Sequence, residues 1–234
     1  NSATSWPKPP GVLSAIEKFF KRGRASAGRE GFKSNVEVDK PSANTRKLLA
    51  KLINVKNPKH IIFTLNATDG LNLAIKGTLK ENDHVIISSM EHNSVIRPLR
   101  KLERELNIKI SIVRCKETGE LDPKDVEKEI RKNTKLIALL HASNVIGTIM
   151  PVAKVGQIAK KHKITYLIDA SQSAGTIPID VNEMNVDLLA FSGHKSLLGP
   201  TGTGALYIRE GIELDSLKEG GTGSQSEFDI QPEV

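Results

Sequence analysis

The chain has little with which to staple, stack or span. One cysteine, Cys115, stands in 234 residues, so no internal disulfide can form, which fits a reducing compartment. Aromatic residues make up only 4% of the sequence, too few to build the stacking platforms on which single-stranded nucleic acids lie. No apolar run is long enough to cross a bilayer, so no membrane partner is expected. The opening residues, Asn1 to Pro10, are polar and proline-rich without the continuous apolar stretch of a secretory signal. A cytoplasmic location is the expectation. Internal repeats and low-complexity tracts are missing as well.

Positive charge is in excess, with 34 Lys and Arg against 27 Asp and Glu and a formal net charge of +7. The two signs are interspersed, as on a solvated surface, so no nucleic-acid partner is expected. With 38% hydrophobic residues the chain can bury a core, most simply as one large domain.

Seven runs rich in aliphatic and β-branched residues read as strands: Ile61 to Leu65, His84 to Ser88, Ile108 to Val113, Lys135 to His141, Ile164 to Asp169, Val186 to Phe191 and Gly204 to Arg209. Between them lie segments with helical spacing, such as Leu71, Ala74, Ile75 and Leu79, or Val126 and Ile130, or Val152, Val155, Ile158 and Ala159. This alternation predicts an α/β fold, a three-layer α/β/α arrangement around a mixed, mainly parallel sheet. Leu136 to Leu140 is apolar throughout, which fits a strand covered on both faces. Ser192 to Thr203 is glycine-rich and too short for a helical crossover, so the strands flanking it are expected to pair antiparallel. Both ends read as cut, and the chain reads as a piece of a longer protein.

The residues that follow the strand candidates carry the chemistry. Asp169 and Lys195 are the acid and amine that pyridoxal phosphate requires. The lysine forms its Schiff base, and the acid keeps the pyridine nitrogen protonated so that the ring can act as an electron sink. Gln172 lies in the same turn as Asp169 and can reach the cofactor's phenolic oxygen. Ser192 and His194 flank Lys195 with a hydroxyl and an imidazole suited to a phosphate. Asn66 to Gly70 precedes a helix whose free N–H groups and dipole favour an anion; Asn66 or Thr68 would serve equally as an ordinary N-cap. His92 can stack on the pyridine ring and move protons on a substrate. Asn144 can donate to the phenolic oxygen or to substrate. Each of these residues also has a plain structural explanation, as a turn former, a cap or a surface lysine. Their common placement after separate strands predicts one pocket, with no metal in it.

Six ordered motifs together resemble the class V aminotransferase family of fold-type I pyridoxal-phosphate enzymes, in its cysteine desulfurase and selenocysteine lyase branch. They are Asn1 to Pro9, Phe63 to Leu73, Ser89 to Ser94, Ser143 to Gly147, Asp169 to Ser173, and Ser192-Gly193-His194-Lys195 with the Gly-Pro-Thr-Gly that follows. The resemblance implies that Lys195 holds the cofactor aldehyde and His92 stacks on the ring. It assigns Asp169 to the pyridine nitrogen, Gln172 to the phenolic oxygen, and Ala67, Thr68, Ser192 and His194 to the phosphate, with Asn144 beside the cofactor. It further implies a homodimer in which Thr222, in Gly220 to Gly223, touches the partner's phosphate. Residues 1–14 would form an N-terminal segment near the active site, and 15–234 the cofactor-binding large domain, truncated before a small C-terminal domain. L-cysteine is the implied substrate, with a sulfur-acceptor protein as a further partner. The nucleophilic cysteine and carboxylate-binding arginine of a desulfurase would lie beyond this chain, and Cys115 is read as structural. Another class V transaminase, lyase or epimerase, or a non-catalytic relative, is the alternative.

Overall fold

The computed structural model describes residues 5–22 and 33–220. Helices α1 (Pro10–Arg22) and α2 (Lys33–Leu52) precede the first strand. The remaining elements are β1 (Ile61–Thr64), α3 (Ala67–Thr78), β2 (His84–Ser88), α4 (Asn93–Glu105), β3 (Lys109–Val113), α5 (Pro123–Lys128), β4 (Thr134–Leu140), α6 (Val152–His162), β5 (Thr165–Asp169), β6 (Leu188–Ser192) and β7 (Gly204–Ile208). All seven strand candidates are strands, within about two residues at each end. The loop from Ser192 to Thr203 joins an antiparallel pair, as expected from its length.

The strands form one sheet in the order β1-β7-β6-β5-β4-β2-β3. β7 pairs antiparallel with both β1 and β6, and every other pairing is parallel. Strand β4 explains the three layers, because neighbouring side chains on a strand point to opposite faces. Ile137 and Leu139 face the core layer that also holds Ala50 of α2, Val126 of α5, and Val155 and Ala159 of α6. Leu136 and Ala138 pack on the other side, with Leu71 and Ile75 of α3 and Val95 and Leu99 of α4. An apolar residue at every position of such a strand is what two covered faces demand.

Two element bounds differ from the sequence reading. α3 begins at Ala67, not near Leu71, because the Asn66 side chain accepts the N–H of Asp69 and starts the helix a turn earlier. α5 ends at Lys128 and leaves Ile130 in the following turn. α1 and α2 were not read from the sequence at all, and α1 runs without a break through residue 14.

Candidate active site

Since β1 and β6 point the same way as the other parallel strands, Thr64, Ser88, Leu140, Asp169 and Ser192 all end at one edge of the sheet. β7 starts there, with Gly204 opposite both Thr64 and Ser192. Close approach at this corner requires a glycine: a Cβ on Gly204 would lie 2.6 Å from the Asn66 backbone. A cavity of about 360 Å³ opens at this edge, within the roughly 300–1,000 Å³ range of small-molecule sites. Ala67, Thr68, His92, Asn144, Asp169, Gln172, Ser192, His194 and Lys195 all line it. Thr222 and Asn1 to Thr4 lie outside the described residues.

The anion end is built on α3. Asn66 caps the helix by accepting the N–H of Asp69 at 2.9 Å, and Asp69 returns the favour by accepting the N–H of Leu65. The N–H of Ala67 donates to Ser192 Oγ at 3.2 Å, which leaves that hydroxyl's own proton available to an incoming oxygen. The N–H of Thr68 has no acceptor among the described residues.

Thr68 Oγ1 lies 2.8 Å from Ser94 Oγ, which lies 2.9 Å from His92 Nδ1. The backbone N–H of Ser94 also donates to that nitrogen at 3.1 Å. A backbone N–H can only donate, so Nδ1 is an acceptor and the neutral ring carries its proton on Nε2. Ser94 thereby fixes the tautomer of His92 and links it to Thr68, a role the sequence reading missed.

Lys195 sits half-buried in the loop after β6. Gly193 N–H donates to Thr203 O at 2.8 Å, Gly199 N–H to Gly193 O at 2.8 Å, and Leu198 N–H to Lys195 O at 2.9 Å. Those bonds hold Leu198 at φ 61°, a left-handed conformation that a leucine rarely adopts, at the kind of position where strain gathers. Burial pushes the Lys195 ammonium below its ordinary range, and the Asp169 charge opposes that shift only in part. A lowered amine pKa increases the neutral fraction that can attack a carbonyl. Asp169 is buried and accepts the N–H of Ser171 at 2.9 Å. Among the described residues it is the only carboxylate, and Lys195 the only ammonium, lining the cavity. Gln172 is half-buried in the same turn. Asn144 stands exposed at the rim, on a turn closed by Ser143 N–H to Thr148 O at 2.9 Å.

Two titratable groups beneath the cavity also escaped the sequence reading. Glu91 is 6% exposed; its Oε1 accepts the Ser88 hydroxyl at 2.5 Å, while Oε2 has no partner. Burial first, and the Asp169 charge to a lesser degree, raise its pKa to about 8, so near pH 7 it is a neutral acid. His141 is buried with Nδ1 unpartnered, and burial lowers its pKa. An acid at the end of an apolar strand was the available signal for Glu91. Cys115 packs against the α2–α5–α6 core, donates its N–H to Ser89 Oγ at 3.0 Å, and does not line the cavity.

A polar cavity with one amine and one carboxylate, set at the strand ends of a three-layer sheet, is the arrangement of an open-sheet α/β enzyme that binds a small molecule. A family model for aminotransferase class V matches residues 1–230, and the chain belongs to that family. It is 37% identical to a probable cysteine desulfurase of Borreliella burgdorferi, covering 97% of this chain and 55% of that protein. To the cysteine desulfurase IscS of Dictyoglomus turgidum it is 42% identical, covering 94% of this chain and 56% of that protein. The apo structure of a cysteine desulfurase from Thermococcus onnurineus superposes with a TM-score of 0.84 at 36% identity, covering 90% of this chain and 52% of the other. A structure described as SspA in complex with cysteine gives a TM-score of 0.85 at 34% identity, covering 94% and 63%. The chain thus spans about half the length of the curated relatives it matches.

Proposed function

We propose that the chain is the cofactor-binding part of a pyridoxal-phosphate-dependent cysteine desulfurase. The observation that carries this reading is the pairing of a half-buried, pKa-lowered Lys195 with Asp169 in a cavity whose other end offers anion donors. The donor set fits a phosphorylated pyridine aldehyde. Thr68 N–H, the Ser192 hydroxyl and His194, whose buried Nδ1 lacks a partner, suit the phosphate, together with Ala67 at the head of α3. When bound, the cofactor supplies an electron sink for the charge left when the substrate loses its α-proton.

Lys195 would hold the aldehyde, and its amine, once free, would serve as the base for a substrate α-proton at Nζ. Asp169 would hold the pyridine nitrogen and favour its protonated form. Gln172 and Asn144 would hold the phenolic oxygen, and His92 would cover the ring, its Nε2 proton available for exchange. We further propose a homodimer in which Thr222 reaches the partner's phosphate. L-cysteine is the substrate, and a thiol supplied from outside these 234 residues passes sulfur to an acceptor protein. Cys115 is not that thiol, because it does not line the cavity.

Borohydride reduction of the full-length protein with pyridoxal phosphate, followed by peptide mass spectrometry, tests the cofactor reading. Label on Lys195 alone supports it, and scattered or absent label sinks it. Alanine and sulfide formed in equal amounts from L-cysteine test the substrate; alanine without sulfide, or turnover of another amino acid alone, would favour a different class V reaction.

A further inference from the structure

The carbonyl oxygen of His194, one peptide before Lys195, receives three donors from the N-terminal segment. Ser5 N–H reaches it at 3.3 Å, Ser5 Oγ at 3.0 Å and Lys8 Nζ at 3.1 Å. Lys8 also donates to Ser5 Oγ at 2.6 Å, so the hydroxyl relays one bond while receiving another. Ser5 is 8% exposed, which makes this a buried tie and not a passing surface contact. A carbonyl offers two lone pairs; three donors, one of them charged, saturate it and restrain its peptide plane more firmly than a single neutral bond. On the far side of the same residue, Lys195 O accepts the N–H of Leu198 at 2.9 Å. The backbone of Lys195 is therefore clamped before and after its Cα, and only the first clamp comes from outside its own loop.

We propose that Lys8 and Ser5 are positioning residues for Lys195: they fix the His194–Lys195 peptide and so set where the amine stands and how far it is removed from water. The inference rests on the reading of Lys195 as the Schiff-base residue. Neither side chain lines the cavity, so they act through the backbone and touch neither cofactor nor substrate. The titratable groups lining the cavity with the amine are Asp169 from β5, His92 at the head of α4 and His194 from its own loop. None of these is altered by a change at Lys8. Loss of the strap would let the loop open toward solvent, and the weaker burial would move the amine back toward its ordinary pKa.

The test uses the full-length protein with Lys8→Met, Lys8→Arg and Ser5→Ala. Two quantities are measured: the affinity for pyridoxal phosphate, and the pH dependence of borohydride-trapped attachment at Lys195. Lys8→Met is expected to weaken binding about tenfold and to raise the trapping midpoint by about one pH unit. Ser5→Ala should have a smaller effect of the same sign. Lys8→Arg should restore both within about twofold, since it keeps the cation and the donor. Thermal melting, followed in parallel, should hardly change in Lys8→Met. Wild-type affinity and midpoint in Lys8→Met, or a loss that arginine does not rescue, would overturn the positioning role. Wild-type protein that takes no label at Lys195 would instead overturn the Schiff-base reading, and the strap proposal with it.

Discussion

At the carboxyl edge of the sheet, three buried side-chain atoms have no hydrogen-bond partner: Glu91 Oε2, His141 Nδ1 and His194 Nδ1. They are the only such atoms among the described residues. The amino edge buries polar groups too, yet saturates them. His84 is fully enclosed, with Nδ1 at 2.7 Å from Thr134 Oγ1 and Nε2 at 3.0 Å from Ser111 Oγ. Asp187 accepts the N–H of Tyr166 at 2.9 Å and pairs with Arg209 at 2.9 Å, and Arg209 also reaches the carbonyls of Val181 and Val186. Leaving a buried polar atom unpaired costs about 1–3 kcal/mol. The amino edge avoids that cost, whereas the carboxyl edge bears it beside the cavity. Polar groups at one edge are tied into the fold, and at the other some are left unpaired beside the candidate cavity.

Four changes would break or sharpen this contrast. Lys195→Ala should lower turnover of L-cysteine by about 10³-fold or more and abolish pyridoxyl attachment at that position. Its thermal midpoint should stay level or rise, because a poorly solvated ammonium is removed; a protein that instead unfolds would erase the distinction.

Glu91→Gln addresses the carboxyl edge through pH. The folded pKa of Glu91 is raised to about 8, so the native state keeps a proton that the unfolded chain gives up. Stability is then greatest below about pH 4.5 and falls as pH rises toward 8, by up to about 4 kcal/mol. The glutamine variant should flatten that slope in urea melts between pH 5 and 8, and an unchanged slope would show that Glu91 is ionised in the folded protein.

The amino edge gives the opposite sign. Burial first, then the Arg131 charge, lower the His84 pKa to about 4, so His84 is neutral when folded. Stability present above about pH 6.5 should be lost as pH falls toward 4, by roughly 2–3 kcal/mol. His84→Asn should remove that acid limb in the same melts. The smallest effect is expected from Asp187→Ala, about 2 kcal/mol in urea titration, reduced from the value for a fully buried pair because Arg209 is about a third exposed. Pyridoxyl attachment at Lys195 should be untouched, and a loss of attachment would mean that the two edges are coupled.

The strands were legible in the sequence because each is a short run rich in aliphatic residues, and the central ones, such as Leu136 to Leu140, have two covered faces that leave no polar interruption. α1 and α2 were not. α2 carries Pro41 and a mixed polar sequence, and its apolar side is defined by what it meets, the β1 edge of the sheet and the Pro58–His60 turn. Within the site, residues immediately after a strand could be read because the parallel sheet gathers strand ends. Glu91 and His141 needed knowledge of what lies around them, since a buried acid and a surface acid are the same letter. Ser5 and Lys8 meet His194 across sequence separations of 189 and 186, a distance no local pattern encodes.

The sheet order has a further consequence, in time. β1 pairs only with β7, although some 140 residues of chain separate them. Until β7 is synthesised and docked on β6, β1 has no neighbour, and the head of α3 has no Ser192 held against it. Contacts of such long range close slowly, because the loop entropy must be met before any pairing repays it. β2, β3, β4 and β5 can assemble earlier, as a parallel unit carrying Asp169 and His92. The head of α3 and the lysine loop are thus joined late, by one antiparallel strand, and the candidate cavity should form only once β7 has docked.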